Sequence, residues 1–285
     1  MPIHPSSARF TRLALAALFL ASAARPLAAQ ENVLRVCQDP NNLPFSNENG
    51  EGFENKIAAV FGEKLGWKVE YFSFPQRMGF IRNTLRFKLP GESYRCDLVM
   101  GVPAGYDQVS PTRPYYHSTY ALVFAEKGKL AGVHSAEDLF ALPPEVRSTL
   151  RIGLYDRTPA SEWLAKHKLL AQAVPYRMLN ADPAFYPGEI IEKDLASGEI
   201  DAAVVWGPIA GFFARRVQQP RLVVVPLASE PGVRFDYEIA MGVRFGEPQW
   251  KATVERLLAE NQPAIEQILR SYGVPLLDEN GNVKP

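Results

Sequence analysis

The chain has 285 residues, with 31 Lys+Arg against 31 Asp+Glu, 47% hydrophobic residues and two cysteines. A balanced charge with no basic stretch excludes a nucleic-acid binder, which needs a positive face. The length suffices for one long domain or two lobes of about 100–150 residues each.

Arg9 and Arg12 precede an apolar run, Leu13 to Ala24, of about a dozen residues, too short to span a bilayer. Small residues follow, so residues 1–29 read as a cleaved secretory signal. The small-x-small rule is met by Ser22 and Ala24, whereas a cut after Ala29 leaves Leu27 at −3. Removing 1–29 takes away Arg9, Arg12 and Arg25, leaving 28 basic against 31 acidic residues, a net charge of −3. The mature chain is expected to be exported to the periplasm, with no membrane span.

Strand and helix patterns alternate from there on. Val33–Cys37 is a short apolar strand. Phe53–Leu65 carries Phe53, Ile57, Val60, Phe61 and Leu65 at helical spacing, and Gly66 stops it. Lys68–Phe74 alternates as a strand, Gln76–Phe87 follows as a helix, and Asp97–Met100 as a third strand. Such a β-α-β-α-β run implies a parallel sheet with right-handed crossovers. Residues 118–125 leave it as an extended strand, and 127–148 are linker-like around a short helical piece.

A second unit then repeats the pattern. Its strands are Leu150–Leu154, Pro175–Leu179, Asp201–Val205 and Leu222–Pro226; its helices are Pro159–Leu170, Glu189–Ser197 and Gly207–Arg216. The chain turns at 228–236, returns as the extended segment Tyr237–Val243, and closes with helices at Pro248–Glu260 and Pro263–Tyr272, each opened by Pro. The fold class is α/β: lobe one over 31–126, lobe two over 127–236, and a hinge return with C-terminal helices over 237–285. Two lobes joined by two extended segments can close on a ligand.

Ligands of open α/β sheets sit at the carboxyl ends of strands. The loops after the first and third strands, CQDPNNLPFSNENGEGFENK at 37–56 and CDLVMGVPAGYDQVSPTRPYY at 96–116, therefore line one cleft. Asp39, Asn41, Asn42 and Ser46 are cleft candidates, although Asn, Asp and Pro are also ordinary turn residues. Phe45 either packs under its loop or faces the cleft. Glu54 in a first helical turn favours the helix dipole. Gln76 and Arg77 follow the second strand at its carboxyl end, which makes Arg77 a candidate for cleft or partner contact, although a solvated surface Arg is the commonest fate. Tyr106, Tyr115, Tyr116 and Tyr120 form a dense aromatic group, of which one or two belong to the core and the rest to a binding surface. Trp206, ending a strand before Gly207-Pro208, is the main candidate from lobe two. Thr158-Pro159 reads as an N-cap and first helical residue, with an anion site beside Arg157 as the alternative.

Cys37 ends one strand and Cys96 opens another. In neighbouring parallel strands those ends lie about 10 Å apart at about 3.3 Å per residue, beyond the reach of about 7 Å that a bridge allows. An oxidising compartment favours a disulfide, so the pairing stays open. The four histidines have no metal spacing, and no metal or cofactor is expected. Asp39, Glu54, Asp107 and Asp156 are conceivable acid/base groups, but nothing in the sequence raises their pKa values, and no enzymatic activity is expected.

Across the whole mature chain, segment order and length resemble the type II periplasmic solute-binding proteins. The strings RVCQDPNNLPFSNENGEGFENKIA, PQRMGFIRNTL, CDLVMGVPAGYD and TRPYYHSTYALVF resemble its quinoprotein-dehydrogenase-associated branch, the MxaJ/XoxJ family of methanol oxidation. That resemblance implies a non-catalytic accessory of a pyrroloquinoline-quinone-dependent alcohol dehydrogenase, aiding its assembly or activation, with a partner segment or a small molecule in the cleft. A transport receptor for a small solute is the alternative. Amino-acid-binding relatives place an Arg where this chain has Gly105 or Tyr106, and an Asp where it has Trp206. Without them an amino acid would lose two charge-assisted contacts of about 1.5–3 kcal/mol each.

Overall fold

The computed structural model describes Met1 and residues 32–76, 79–178, 182 and 184–285. The leader expected over 1–29 falls outside the described residues apart from Met1, and Arg77 falls outside them too. Strands are β1 (Val33–Gln38), β2 (Asn41–Asn42), β3 (Ser46–Asn47), β4 (Lys68–Ser73), β5 (Leu98–Pro103), β6 (Ser110–Pro111), β7 (Tyr116–Ala125), β8 (Ile152–Tyr155), β9 (Ala173–Tyr176), β10 (Ala202–Trp206), β11 (Leu222–Pro226) and β12 (Asp236–Val243). Helices are α1 (Phe53–Leu65), α2 (Phe80–Asn83), α3 (Ala136–Ala141), α4 (Pro144–Arg147), α5 (Pro159–Lys166), α6 (Gly207–Arg216) and α7 (Pro248–Ser271). Ile190–Leu195 winds as a wider π-helix.

Ten strands join in the order β4-β1-β5-β12-β7-β10-β8-β9, with β6 added to β12 and β11 to β7. Each half has a parallel trio in which the first strand in sequence sits in the middle: β4-β1-β5 and β9-β8-β10. The halves meet where β7 and β12 run antiparallel, Tyr116–Thr119 against Asp236–Ile239. These are the two extended segments expected between the α/β units. The fold is the two-lobed α/β architecture that the element order implied.

Helix α1 forms because its apolar residues recur on one face, where Phe53, Ile57, Ala58 and Phe61 are wholly buried. Gly66 ends it in the left-handed conformation at φ 66°, donating to Glu63 O and Gly62 O. With α7 it covers one face of the first half, against Leu34, Leu98, Met100 and Met241. The opposite face carries Phe80, Ile81 and Leu85. In the second half, α5 and α6 cover opposite faces.

Several boundaries differ from the sequence pattern. The second helix keeps four residues, because the Thr84 hydroxyl donates to Phe80 O and its backbone leaves the helical region. Helix α5 stops at Lys166, and β9 begins two residues before Pro175. Pro263, read as the start of a separate helix, lies inside α7. Val254, Leu257 and Leu258 before it and Ile265 and Leu269 after it enter one core, so burial outweighs the lost hydrogen bond. The 127–148 stretch carries two short helices, α3 and α4.

Cys37 and Cys96 are bonded, with Cα atoms 5.3 Å apart. The expected separation failed because β5 begins at Leu98, and the chain bends at Asp97 so that Cys96 swings back over Cys37. Arg244 holds that bend: it is buried and donates to Leu85 O at 3.1 Å, Cys96 O at 2.5 Å and Asp97 Oδ1 at 2.6 Å. Reducing the bond releases a 59-residue separation and should lower stability by about 2–4 kcal/mol. Urea unfolding with and without dithiothreitol checks this, with Cys96→Ser matching the reduced protein.

Candidate functional site

The carboxyl ends of β1 and β5 border the point where the chain reverses direction across the first half, and β8 and β10 do the same in the second. The loop after β1 is built first. Asp39 Oδ1 accepts from Asn41 N at 2.8 Å, and Asp39 Oδ2 accepts from Gln76 N. The Ser46 hydroxyl donates to Asp39 O at 2.9 Å and accepts from Asp39 N. Asp39 and Ser46 are therefore committed to loop geometry. Asn42 Nδ2 donates to Gln76 Oε1 at 2.7 Å.

The β2–β3 hairpin caps α1 with backbone: Phe53 N donates to Pro44 O and Glu54 N to Phe45 O. Asn55 reaches back with Oδ1 to Gly52 N and Asn47 N, while its Nδ2 donates to Gln38 Oε1. This polar network was missed from the sequence, although an amide three residues inside a helix start is a recognisable capping signal.

Phe45 lies between the core of the first half and that of the second. It meets Phe53 edge-on at 5.3 Å, and Phe53 meets Tyr116 at 6.1 Å and Tyr272 at 5.9 Å. Tyr272 stacks on Phe212 of α6 at 5.6 Å. Trp206, half-buried, also touches both cores, packing on Tyr120 at 5.5 Å and Tyr237 at 6.0 Å. Two groups of rings thus join the halves, one through Phe45, Phe53, Tyr272 and Phe212 and the other through Trp206 and Tyr237. Asn41 Nδ2 adds a polar clasp to Phe185 O at 3.3 Å in the second half. Phe53, Phe212, Tyr237 and Tyr272 were not singled out from the sequence, because each reads there as ordinary core periodicity.

The other candidates separate. Tyr115 is 1% exposed and belongs to the core. Tyr106 lies on the α2 side, where with Gln76, Phe80, Pro103 and Gln108 it lines a cavity of about 550 Å³. Thr158 takes the N-cap position, but its hydroxyl donates to Tyr155 O at 2.7 Å and does not cap; Arg157 beside it is exposed. Asp107 is exposed, and Asp156 Oδ1 accepts from Met178 N. Of the four acids, only Asp39 and Glu54 act on one another.

Glu54 has the most altered chemistry. Burial, and then the charge of Asp39, raise its pKa to about 8. It sits deep beneath the rings yet keeps some contact with solvent. Burial chiefly, with the Glu54 charge also acting, pushes the Tyr115 and Tyr116 hydroxyls well above the ordinary phenol range. Among the described residues, no group of three His, Cys, Asp or Glu could hold a metal ion, and no helix is long and apolar enough to cross a membrane.

No family model matches the chain. It is 28% identical over 275 residues to Protein MoxJ of Paracoccus denitrificans, covering 92% of this chain and 94% of that one. The crystal structure of the periplasmic binding protein XoxJ from Methylobacterium extorquens AM1 superposes with a TM-score of 0.68 at 37% identity, covering 86% of this chain and all of that one. MxaJ from Methlophaga aminisulfidivorans MPT gives 0.70 at 22% identity over 86% of this chain and all of that one, a likeness of fold.

Because the folded Glu54 carboxyl holds its proton to about 8 while an unfolded one loses it near 4.5, the folded state binds the extra proton between those values. Stability should fall as pH rises through that window, by up to about 1.4 kcal/mol per unit. Glu54→Gln should remove this slope and stabilise the protein at pH 8, as thermal unfolding across pH 5–9 will read.

Proposed function

The chain belongs to the MxaJ/XoxJ family of type II periplasmic binding proteins, and we propose that it is a non-catalytic periplasmic accessory of a pyrroloquinoline-quinone-dependent methanol or alcohol dehydrogenase, which it helps to assemble or activate by holding a segment of that enzyme between its lobes. Lobe one comprises 31–126 together with the returning segment 237–285, and lobe two comprises 127–236. Residues 1–29 are the signal that exports it.

The observation that carries this reading is the ring set between the halves: Phe45, Phe53, Trp206, Tyr237 and Tyr272, with Phe212 stacked behind. Aromatic side chains bury large areas at small entropic cost and dominate protein interfaces. Phe45 and Trp206 are half-buried and touch both cores, so opening the hinge would bare both at once to an incoming segment. A zwitterionic amino acid is poorly served, because Trp206 stands where relatives hold the ammonium and Gly105 or Tyr106 where they hold the carboxylate.

The 550 Å³ cavity lined by Gln76, Phe80, Tyr106 and Gln108 favours a second reading, a receptor for a small neutral solute. Mass spectrometry of the purified protein separates the two: a stoichiometric small molecule with no dehydrogenase contact supports transport.

A tagged chain should retain the dehydrogenase from periplasm of methanol-grown cells. Phe45→Ala and Trp206→Ala should each weaken retention about 30-fold, the effect of a hot spot of about 2 kcal/mol, with stability followed by circular dichroism. A chain that neither retains the enzyme nor alters its activity contradicts the reading.

A further inference from the structure

Glu54 is the second residue of α1, and its Oε1 lies where a Cβ on Gly101 of β5 would come within 2.5 Å. Gly101, at φ 70°, has no side chain to contest that space. Among the described residues, the titratable groups facing this carboxyl are Asp39 from the loop after β1, Tyr71 from β4, and Tyr115 and Tyr116 around the start of β7. None of them is a cation. Among the described residues the Glu54 carboxyl accepts no hydrogen bond and forms no ion pair. Beside it the Tyr115 hydroxyl is fully buried and has no hydrogen-bond partner. The Phe53 ring, next in sequence, meets both Phe45 and Tyr116.

Among the described residues, the site thus holds acceptors and ring faces with nothing positive to match them. A neutral guest leaves Glu54 protonated and gains no charge-assisted contact from it, and an anion is repelled by Asp39 and, once ionised, by Glu54. A cation satisfies the carboxylate, can donate to the idle phenol oxygen, and gains from the rings. We propose that Glu54, Tyr115 and the surrounding rings form a subsite for an organic ammonium or guanidinium group, carried into the cleft on a small solute or on a Lys or Arg side chain of a polypeptide segment. The inference deepens the cleft reading above, since it names the chemistry of what the cleft receives, but it requires no dehydrogenase.

Because Glu54 holds its proton up to about 8, a cation entering at lower pH displaces that proton. Affinity for a permanently charged probe rises about tenfold per pH unit from 6 to 8 and levels off above.

Isothermal titration of the purified mature chain with methylguanidinium chloride, and separately with an acetylated, amidated Ala-Arg-Ala peptide, tests this from pH 6 to 9. The expected result is binding with that pH profile and, in two buffers of different ionisation enthalpy, release of close to one proton per cation at pH 7. Glu54→Gln should abolish both the proton release and the pH dependence and weaken binding at pH 8 at least tenfold. The proton count is read on the unaltered protein, so it stands even if the variant folds poorly. Tighter binding of methylguanidinium identifies a small solute as the source, and tighter binding of the peptide a polypeptide side chain. Binding of neither probe, pH-independent binding, or equal binding by a folded Glu54→Gln overturns the subsite. Dehydrogenase retention without cation binding sinks this inference and leaves the accessory reading standing, while cation binding without retention does the reverse.

Discussion

The antiparallel contact of β7 with β12, Tyr116–Thr119 against Asp236–Ile239, is the constraint on which everything else in the molecule rests. Both strands continue beyond it in opposite roles: β12 completes the first half beside β5, and β7 enters the second half between β10 and β11. The C-terminal segment reinforces the crossing, since Leu277 N donates to His117 O and the Ser118 hydroxyl to Pro275 O. Beside this join the loop after β1 reaches the second half, where Asn41 Nδ2 donates to Phe185 O.

What fills the space between the halves follows from how the strands end. Trp206 finishes β10, Tyr116 begins β7, and Phe45 is carried on a hairpin whose carbonyls cap α1. Tyr116 is buried in the core of the first half, whereas Phe45 and Trp206 stay half-buried against both cores. Water exclusion in turn explains Glu54: a carboxyl at the start of a helix would ordinarily gain from the dipole, but here burial outweighs that gain and holds the proton. The same exclusion that suits the rings to an apolar partner is what the proposed cation subsite at Glu54 draws on.

The fold was legible because its signals are local and repeated. Apolar spacing gave α1, and short apolar runs gave β1, β10 and β11 to within a residue, while β8 starts two residues later than its run. Failures came where tertiary contacts overrode local chemistry. Pro263 looks like a helix start but lies inside α7 because residues on both sides of it are buried in one core. The disulfide stays open in the sequence because a bend at Asp97, held by a distant Arg244, does not register in strand spacing. Among site residues, Trp206 and Phe45 sit on the seam, whereas the Tyr115 ring packs in the core with only its hydroxyl near Glu54, and Thr158 spends its hydroxyl on Tyr155 O. No single-residue rule distinguishes a tyrosine under the rings from one among them. The importance of Glu54 was hidden because its raised pKa depends on neighbours brought together only by folding.

The account stands or falls on whether the ring-lined seam is where a partner engages. Hydrogen exchange read by mass spectrometry on the mature chain, alone and with its dehydrogenase, is the most direct measurement. Slowed exchange should concentrate in 41–55, 116–120 and 204–212, the backbone that carries the seam, with little change on the outer faces of α3 and α4. Protection confined to those outer faces, or an unchanged seam in a complex that forms, would contradict it.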